Sequence, residues 1–252
     1  VMITVQTTDG RMLQLRPAPL ASGAEKIAFL SVDGRDVVAF YFGTLRDRAE
    51  RVERLRRIVS SYDPTRGAGA AYWREAFCWP TGIVDGARAV PADFARAHSL
   101  AQPTLGVVMP VYRPVFFMQD RFGNRVEKEV RWFTGRKAGA LVPDVEKGSL
   151  LTRLQVCMRL ARAVRRLHFA GLAHSDLSNR NVLVDLRNGN ACGCSGIRCE
   201  ESWCTAHAAP RRTSSCRWAA GRCSSNIAPT VATRPMHRLP CRSRRSVHTS
   251  CR

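Results

Sequence analysis

No uninterrupted apolar stretch in the 252 residues approaches the roughly 18 needed to cross a bilayer, and no basic segment followed by an apolar one opens the chain. The expectation is a soluble, cytoplasmic protein with no membrane partner. Cysteine is nearly absent from the first 190 residues, which hold only Cys78 and Cys157, whereas residues 191 to 252 hold eight of the ten. That last segment contains no Lys and no Asp, and only five residues of Leu, Ile, Val or Phe in 62 (Ile197, Ile227, Val231, Leu239 and Val247). A segment far below the roughly 20% of such residues that a core requires does not fold by burial.

What is present is a strong basic excess, +20 overall, split unevenly. Residues 191 to 252 carry eleven Arg against Glu200 and Glu201, a surplus of +9, and residues 1 to 190 carry 29 bases against 18 acids, a surplus of +11. The two parts are therefore read separately.

In the first part, Met2 to Val5 and Met12 to Leu15 flank the pair Asp9-Gly10, and Ile27 to Val32 and Val37 to Phe42 flank Asp33-Gly34. Glycine accepts positive φ without a steric cost, so both pairs predict tight turns in an antiparallel sheet. Leu45, Ala49, Val52, Leu55 and Val59 then recur at helical spacing among Arg and Glu. Phe77 to Val84 and Leu105 to Val111 are further strand candidates, the second apolar enough to be buried on both faces. Residues 113 to 148 give no clear periodicity. From Leu150 to Phe169 a helix is predicted with Leu150, Leu154, Cys157, Met158, Ala161, Val164 and Leu167 on one face, stopped by Gly171. The polar run His174-Ser-Asp-Leu-Ser-Asn-Arg-Asn181 and the apolar Val182 to Asp185 follow it.

A long amphipathic helix, a Gly stop, His-x-Asp-Leu-x-x-x-Asn and an apolar strand resemble the catalytic-loop arrangement of protein kinases, in a divergent bacterial branch. The resemblance covers residues 11 to about 190. It implies an α+β, protein-kinase-like two-lobed fold, with a small lobe of five antiparallel strands plus one helix in residues 1–112. The start of a large lobe, incomplete in its helices, occupies 113–190, and a low-complexity tail 191–252. It implies ATP and Mg²⁺ as cofactors and a protein, at Ser or Thr rather than Tyr, as acceptor, although small-molecule phosphotransferases share the loop.

By the same resemblance Asp176 is the catalytic base and Asn181 a Mg²⁺ ligand. Arg180 either offsets charge on the transferred phosphate or is a solvated loop residue. Ser175 replaces the Arg that many kinases pair with a phosphorylated activation loop. Of the phosphate-covering glycines only Gly23 remains. Phe40 is read as standing where the ATP-pairing Lys belongs, and Lys26 supplies the charge instead, as in the with-no-lysine kinases, with Glu53 or Glu50 as its helical partner. Backbone groups of Met109 and Val111 would bond adenine, with Pro110 removing one donor.

The second metal carboxylate, expected near Cys194 to Gly196, is missing, since Asp185 is the last Asp of the chain. The tail from about 192 is read as translated wholly or partly out of frame. Zinc binding by Cys192, Cys194, Cys199, Cys204 and His207 fits no common ligand spacing, and the Arg excess would bind nucleic acid only non-specifically. The expected outcome is a kinase-like fragment that transfers no phosphate, with a nucleotide-binding scaffold as the alternative.

Overall fold

Strand alternation and turn glycines assemble the first hundred residues into one antiparallel sheet. The computed structural model describes residues 2–174 and 177–193 and, as a strand, 203–205. The chain divides into two units, Val1–Ala209 and Pro210–Arg252; the second lies outside the described residues.

The sheet contains β1 (Ile3–Gln6), β2 (Met12–Ser22), β3 (Lys26–Ser31), β4 (Asp36–Tyr41), β5 (Gly82–Gly86) and β6 (Thr104–Pro110), in the order β1-β2-β3-β4-β6-β5. Its six strands answer to the six strand candidates of the sequence, one more than the five that the resemblance to kinases implies for the small lobe. Both turns form as expected, with Gly10 at φ 86° and Gly34 at φ 71°. Helix α1 (Arg48–Val59) buries Val52 and Leu55 of the expected stripe together with Ile58, whereas Ala49 is exposed and Val59 half-buried. Two short helices, α2 (Ala70–Ala76) and α3 (Ala92–Ala97), were not expected. Each is under eight residues, too short for a period to show in sequence, and is held by tertiary contacts such as Phe94 against Phe29 and Phe40.

The two faces of the sheet bury different clusters. Ile3, Val5, Phe29, Val38, Phe40, Phe94 and Val108 form one. Ala28, Ala39, Tyr41, Val52, Leu55, Met109, Phe116, Leu183 and Cys192 belong to the other, which joins the sheet to α1 and to the following segment. Gly106 is needed where β6 passes under an aromatic ring, because a Cβ there would lie 2.7 Å from Cδ1 of Phe40.

Residues 113–148, without period, fold as short pieces: a 3₁₀ turn (Pro114–Phe116), the hairpin β7 (Phe117–Gln119) and β8 (Arg125–Glu127), α4 (Arg131–Thr134), α5 (Arg136–Gly139) and a second 3₁₀ turn (Asp144–Glu146). Helix α6 (Leu150–Phe169) has the predicted bounds. Its start is fixed by a reciprocal cap in which the Ser149 hydroxyl accepts from the Thr152 N–H at 3.2 Å and the Thr152 hydroxyl accepts from the Ser149 N–H at 2.9 Å. Its packed face differs from the expectation. Val156, Ala163 and Leu167 are buried, while Leu150, Leu154 and Met158 are exposed.

After Gly171 come β9 (Leu172–His174), β10 (Val182–Asp185), β11 (Asn190–Gly193) and β12 (Trp203–Thr205). β10 pairs antiparallel with β11, and β12 with β9. Regular backbone therefore continues into residues the sequence reading had given to the tail.

Candidate functional site

The loop between β9 and β10 is positioned by what surrounds it. The Asn181 N–H donates to the Ser178 carbonyl at 3.1 Å and the Arg131 N–H to the Asn179 carbonyl at 2.9 Å; the Val130 N–H donates to the Val182 carbonyl at 3.0 Å. α4 and the start of β10 thus brace the loop from outside. Asn181 is buried and Arg180 exposed, with Leu177 projecting to solvent beside them. Asp176 and Ser175 lie outside the described residues, as does the stretch Cys194 to Gly196.

On the sheet, Lys26 begins β3 directly opposite Tyr41. It is 3% exposed, and its Nζ stands 4.6 Å from the centre of the Tyr41 ring. The Arg51 guanidinium of α1 lies 4.8 Å from the same ring. Ala39 and Tyr41 face α1, whereas Phe40, one residue out of phase, packs with Phe29 and Phe94 on the other side of the sheet. The period of two in a strand makes this unavoidable. The position facing the helix is therefore Tyr41, and the assignment of Phe40 to the lysine place is corrected.

Glu53 and Glu50 do not reach this cluster. Glu53 accepts from Arg57 at 2.9 Å and Glu50 from Arg54 at 3.5 Å, both along the exposed side of α1. Val52, Leu55 and Ile58 claim the buried side, and the helical residue that turns toward Tyr41 is Arg51. Gly23 sits in the β2–β3 turn, where its N–H donates to the Lys26 carbonyl at 2.8 Å; a Cβ there would meet nothing closer than 3.7 Å. The turn, the end of β4 and the start of α1 border an open groove of about 390 Å³ whose lining includes Glu25, Tyr41, Arg46, Asp47 and Arg51.

At the segment expected to read adenine, the backbone is already engaged. The Val111 N–H donates to the Arg35 carbonyl at 2.9 Å, and the Pro110 carbonyl accepts from Cys78 Sγ at 3.2 Å. Met109 stands opposite Val37 in the sheet and is 2% exposed. Ala39, Met109, Phe116, Leu183 and Cys192 belong to one apolar cluster there.

A second polar cluster, unforeseen from the sequence, lies at the far end of β10. Lys128 Nζ is 2.6 Å from Glu146 Oε2 and 3.6 Å from Asp185 Oδ1, and all three residues are buried. Asp185 Oδ2 accepts from Asn188 at 2.9 Å and from Asn190 at 3.2 Å, and Arg159 of α6 donates to Asn190 at 2.7 Å. The sequence signal was slight: an apolar strand ending in Asp, followed by two Asn. With Asp185 committed to this cluster, the described residues offer Asn181 but no carboxylate beside it, and a magnesium site does not close on them.

An antiparallel sheet with one long helix against it is followed by an α-helix, a short strand, a polar loop ending in a buried Asn, and a β-hairpin. The fold is protein-kinase-like. No protein-family model and no curated protein matches the sequence. Among solved structures the kinase-like chain is similar to that of vaccinia related kinase 3, at 12% identity and TM-score 0.46, over 80% of this chain and 51% of that one. It is similar also to ROP2 from Toxoplasma gondii, described as a virulence factor with a protein-kinase fold and no enzymatic activity, at 19% identity and TM-score 0.43, over 77% and 53%. The chain spans about half the length of each.

Proposed function

We propose that this chain is a phosphotransferase domain of the protein-kinase type, ATP-dependent and directed at Ser or Thr of a protein, that transfers no phosphate in its present form. The single observation that carries the reading is the placement of Asn181, buried at the start of β10 in a loop held between β9 and α4. In such a loop Asp176 would accept the acceptor hydroxyl proton as its oxygen attacks the γ-phosphorus and the bond to the bridging oxygen breaks. Asn181 would orient the phosphates, Lys26 would offset their charge, and Arg180 would do so from the loop side.

Two observations support the absence of turnover. Tyr41, not a cation, faces α1 at the strand position, and Asp185, the last Asp of the chain, is bound to Lys128 and two Asn. A second reading, a scaffold without catalysis, rests on the same features: the Val111 N–H is engaged with Arg35, which favours holding a partner over holding a nucleotide.

The test is phosphate transfer from labelled ATP to a generic basic protein, with and without Mg²⁺, alongside thermal shift by ATP. The expected result is no transfer above background. Transfer abolished by Asp176→Ala would overturn it, and a thermal shift without transfer would select the scaffold reading.

A further inference from the structure

The β7–β8 hairpin ends in an exposed aromatic ring on a fixed turn. Phe122, at its tip, is 75% exposed. One oxygen of Asp120 accepts from the Phe122 N–H at 2.8 Å and from the Asn124 N–H at 2.9 Å, Gly123 takes φ 81°, and the Arg121 N–H donates to the Leu141 carbonyl at 3.1 Å. That last bond ties the tip to the segment just after α5. Lower on the hairpin, the Arg125 guanidinium lies 4.1 Å from the centre of the Phe117 ring, and Phe117 stands 6.5 Å from the Tyr112 ring. Arg121, Arg125, Arg136 and Lys137 are all exposed, and none of the four lies within ion-pair distance of a carboxylate among the described residues. The acids of this segment are committed elsewhere: Asp120 to its own turn, Asp144 to Lys147 and Glu129 to Arg131, while Glu127 is half-buried.

We infer that this hairpin, with the neighbouring α5, binds single-stranded nucleic acid. The chemistry of the exposed groups selects that ligand. An unpaired base has two flat faces that stack on an aromatic ring or a guanidinium plane, and each nucleotide brings one negative charge to meet a cation. Phe122 and the Arg125–Phe117 stack supply the planar groups, and Arg121, Arg136 and Lys137 supply the charge. A duplex hides its base faces and would meet the cations alone. A bilayer would gain little from one buried Phe, and an acidic amphipathic helix would find one exposed ring rather than an apolar groove. Covering the face with an apolar surface would strand four unpaired cations out of water. None of these residues takes part in the proposed phosphate transfer, so the inference stands whether or not that reading does.

The experiment uses the full chain with fluorescein-labelled oligothymidylate and oligouridylate of about 12 nucleotides, and a duplex of the same length, followed by fluorescence anisotropy. The Arg-rich C-terminal segment is present throughout, and a segment that reads charge alone favours the denser duplex. The single strands are nevertheless expected to bind at least about 5-fold more tightly than the duplex. Phe122→Ala should weaken the single strands by at least about 5-fold and the duplex by less than about 2-fold, whereas Phe122→Trp should keep the preference. Arg136→Ala with Lys137→Ala should lower the slope of log affinity against log salt by about 1.4, the effect of two phosphate contacts on a single strand. Circular dichroism reports whether each variant folds. Equal or tighter binding of the duplex by the native chain, or an undiminished preference in Phe122→Ala, would overturn the inference, because charge alone would then account for binding. So would displacement of the strand by phosphatidylserine vesicles that depends on Phe122, since the partner would then be an anionic membrane.

Discussion

Lys128 illustrates how much one buried charge can hold together. It links β8, the 3₁₀ turn at Glu146 and the end of β10, with all three charged groups out of water. Removing one member leaves the others uncompensated, so Lys128→Met is expected to cost about 3–5 kcal/mol in chemical denaturation. Replacing Lys128, Glu146 and Asp185 together by apolar residues of similar size should cost much less. Glu127, one residue away, acts oppositely. Burial, and then the charge of Glu129, raise its pKa above the ordinary 4.5, with Arg131 opposing. The folded state therefore holds the Glu127 proton more tightly than the unfolded state does. Its contribution to stability is full below pH 4.5 and is lost as pH rises through the higher folded value. Glu127→Gln should flatten that part of the pH–stability curve and raise stability at neutral pH. Glycines separate in the same way. Gly148 has φ 61°, and a Cβ there would overlap the Leu186 carbonyl, so Gly148→Ala should cost more than about 1 kcal/mol. Gly23→Ala, whose Cβ would meet only the Lys26 carbonyl at an ordinary contact distance of 3.7 Å, should change stability by no more than about 0.5 kcal/mol.

At the scale of elements, α6 is the test of what periodicity can say. The sequence fixes the helix and its bounds through the Ser149 cap and Gly171, which takes φ 77° where an L side chain is disfavoured. Periodicity does not say which of two apolar sectors faces the core. Leu167→Ala, on the packed sector, should cost about 2–5 kcal/mol in thermal or denaturant unfolding. Leu154→Gln, on the exposed sector, should stay within about 0.5 kcal/mol. A large loss at Leu154 would mean that the sector is covered in the isolated chain. β4 teaches a related lesson. Its residues read correctly as a strand, yet the phase of Phe40 and Tyr41 is set by Val52 and Leu55 of α1, which pack against the Tyr41 side.

For the whole molecule, the sheet and the loop-bearing segment form one described unit through a shared apolar cluster that runs from Ala28 and Tyr41 to Leu183 and Cys192. In the proposed reading an adenine ring would have to enter at that cluster, beside Val111, whose N–H is already bonded to the Arg35 carbonyl. Opening it for a base means unpacking Met109 and Leu183, which are 2% and 1% exposed. Thermal shift with ATP should therefore be small, under about 2 °C at millimolar nucleotide, a concentration at which a site with micromolar affinity would add several kcal/mol. A large magnesium-dependent shift would show the cluster to open readily.

The local elements and the likeness to a kinase follow from neighbouring residues alone. Turn glycines, the strand period of two, the α1 stripe, the α6 caps and the spacing of His174, Asp176 and Asn181 are all properties of neighbouring residues, legible without a partner. The change of composition near residue 191 is equally legible, since apolar content needs no structure to count. Packing sets the rest: Tyr41 rather than Phe40 faces the helix, Glu53 turns to Arg57, the Val111 N–H bonds Arg35, and Lys128, Glu146 and Asp185 meet. Each of these depends on residues distant in sequence competing for one buried face or one hydrogen-bonding group, and such competition is resolved only when the elements pack.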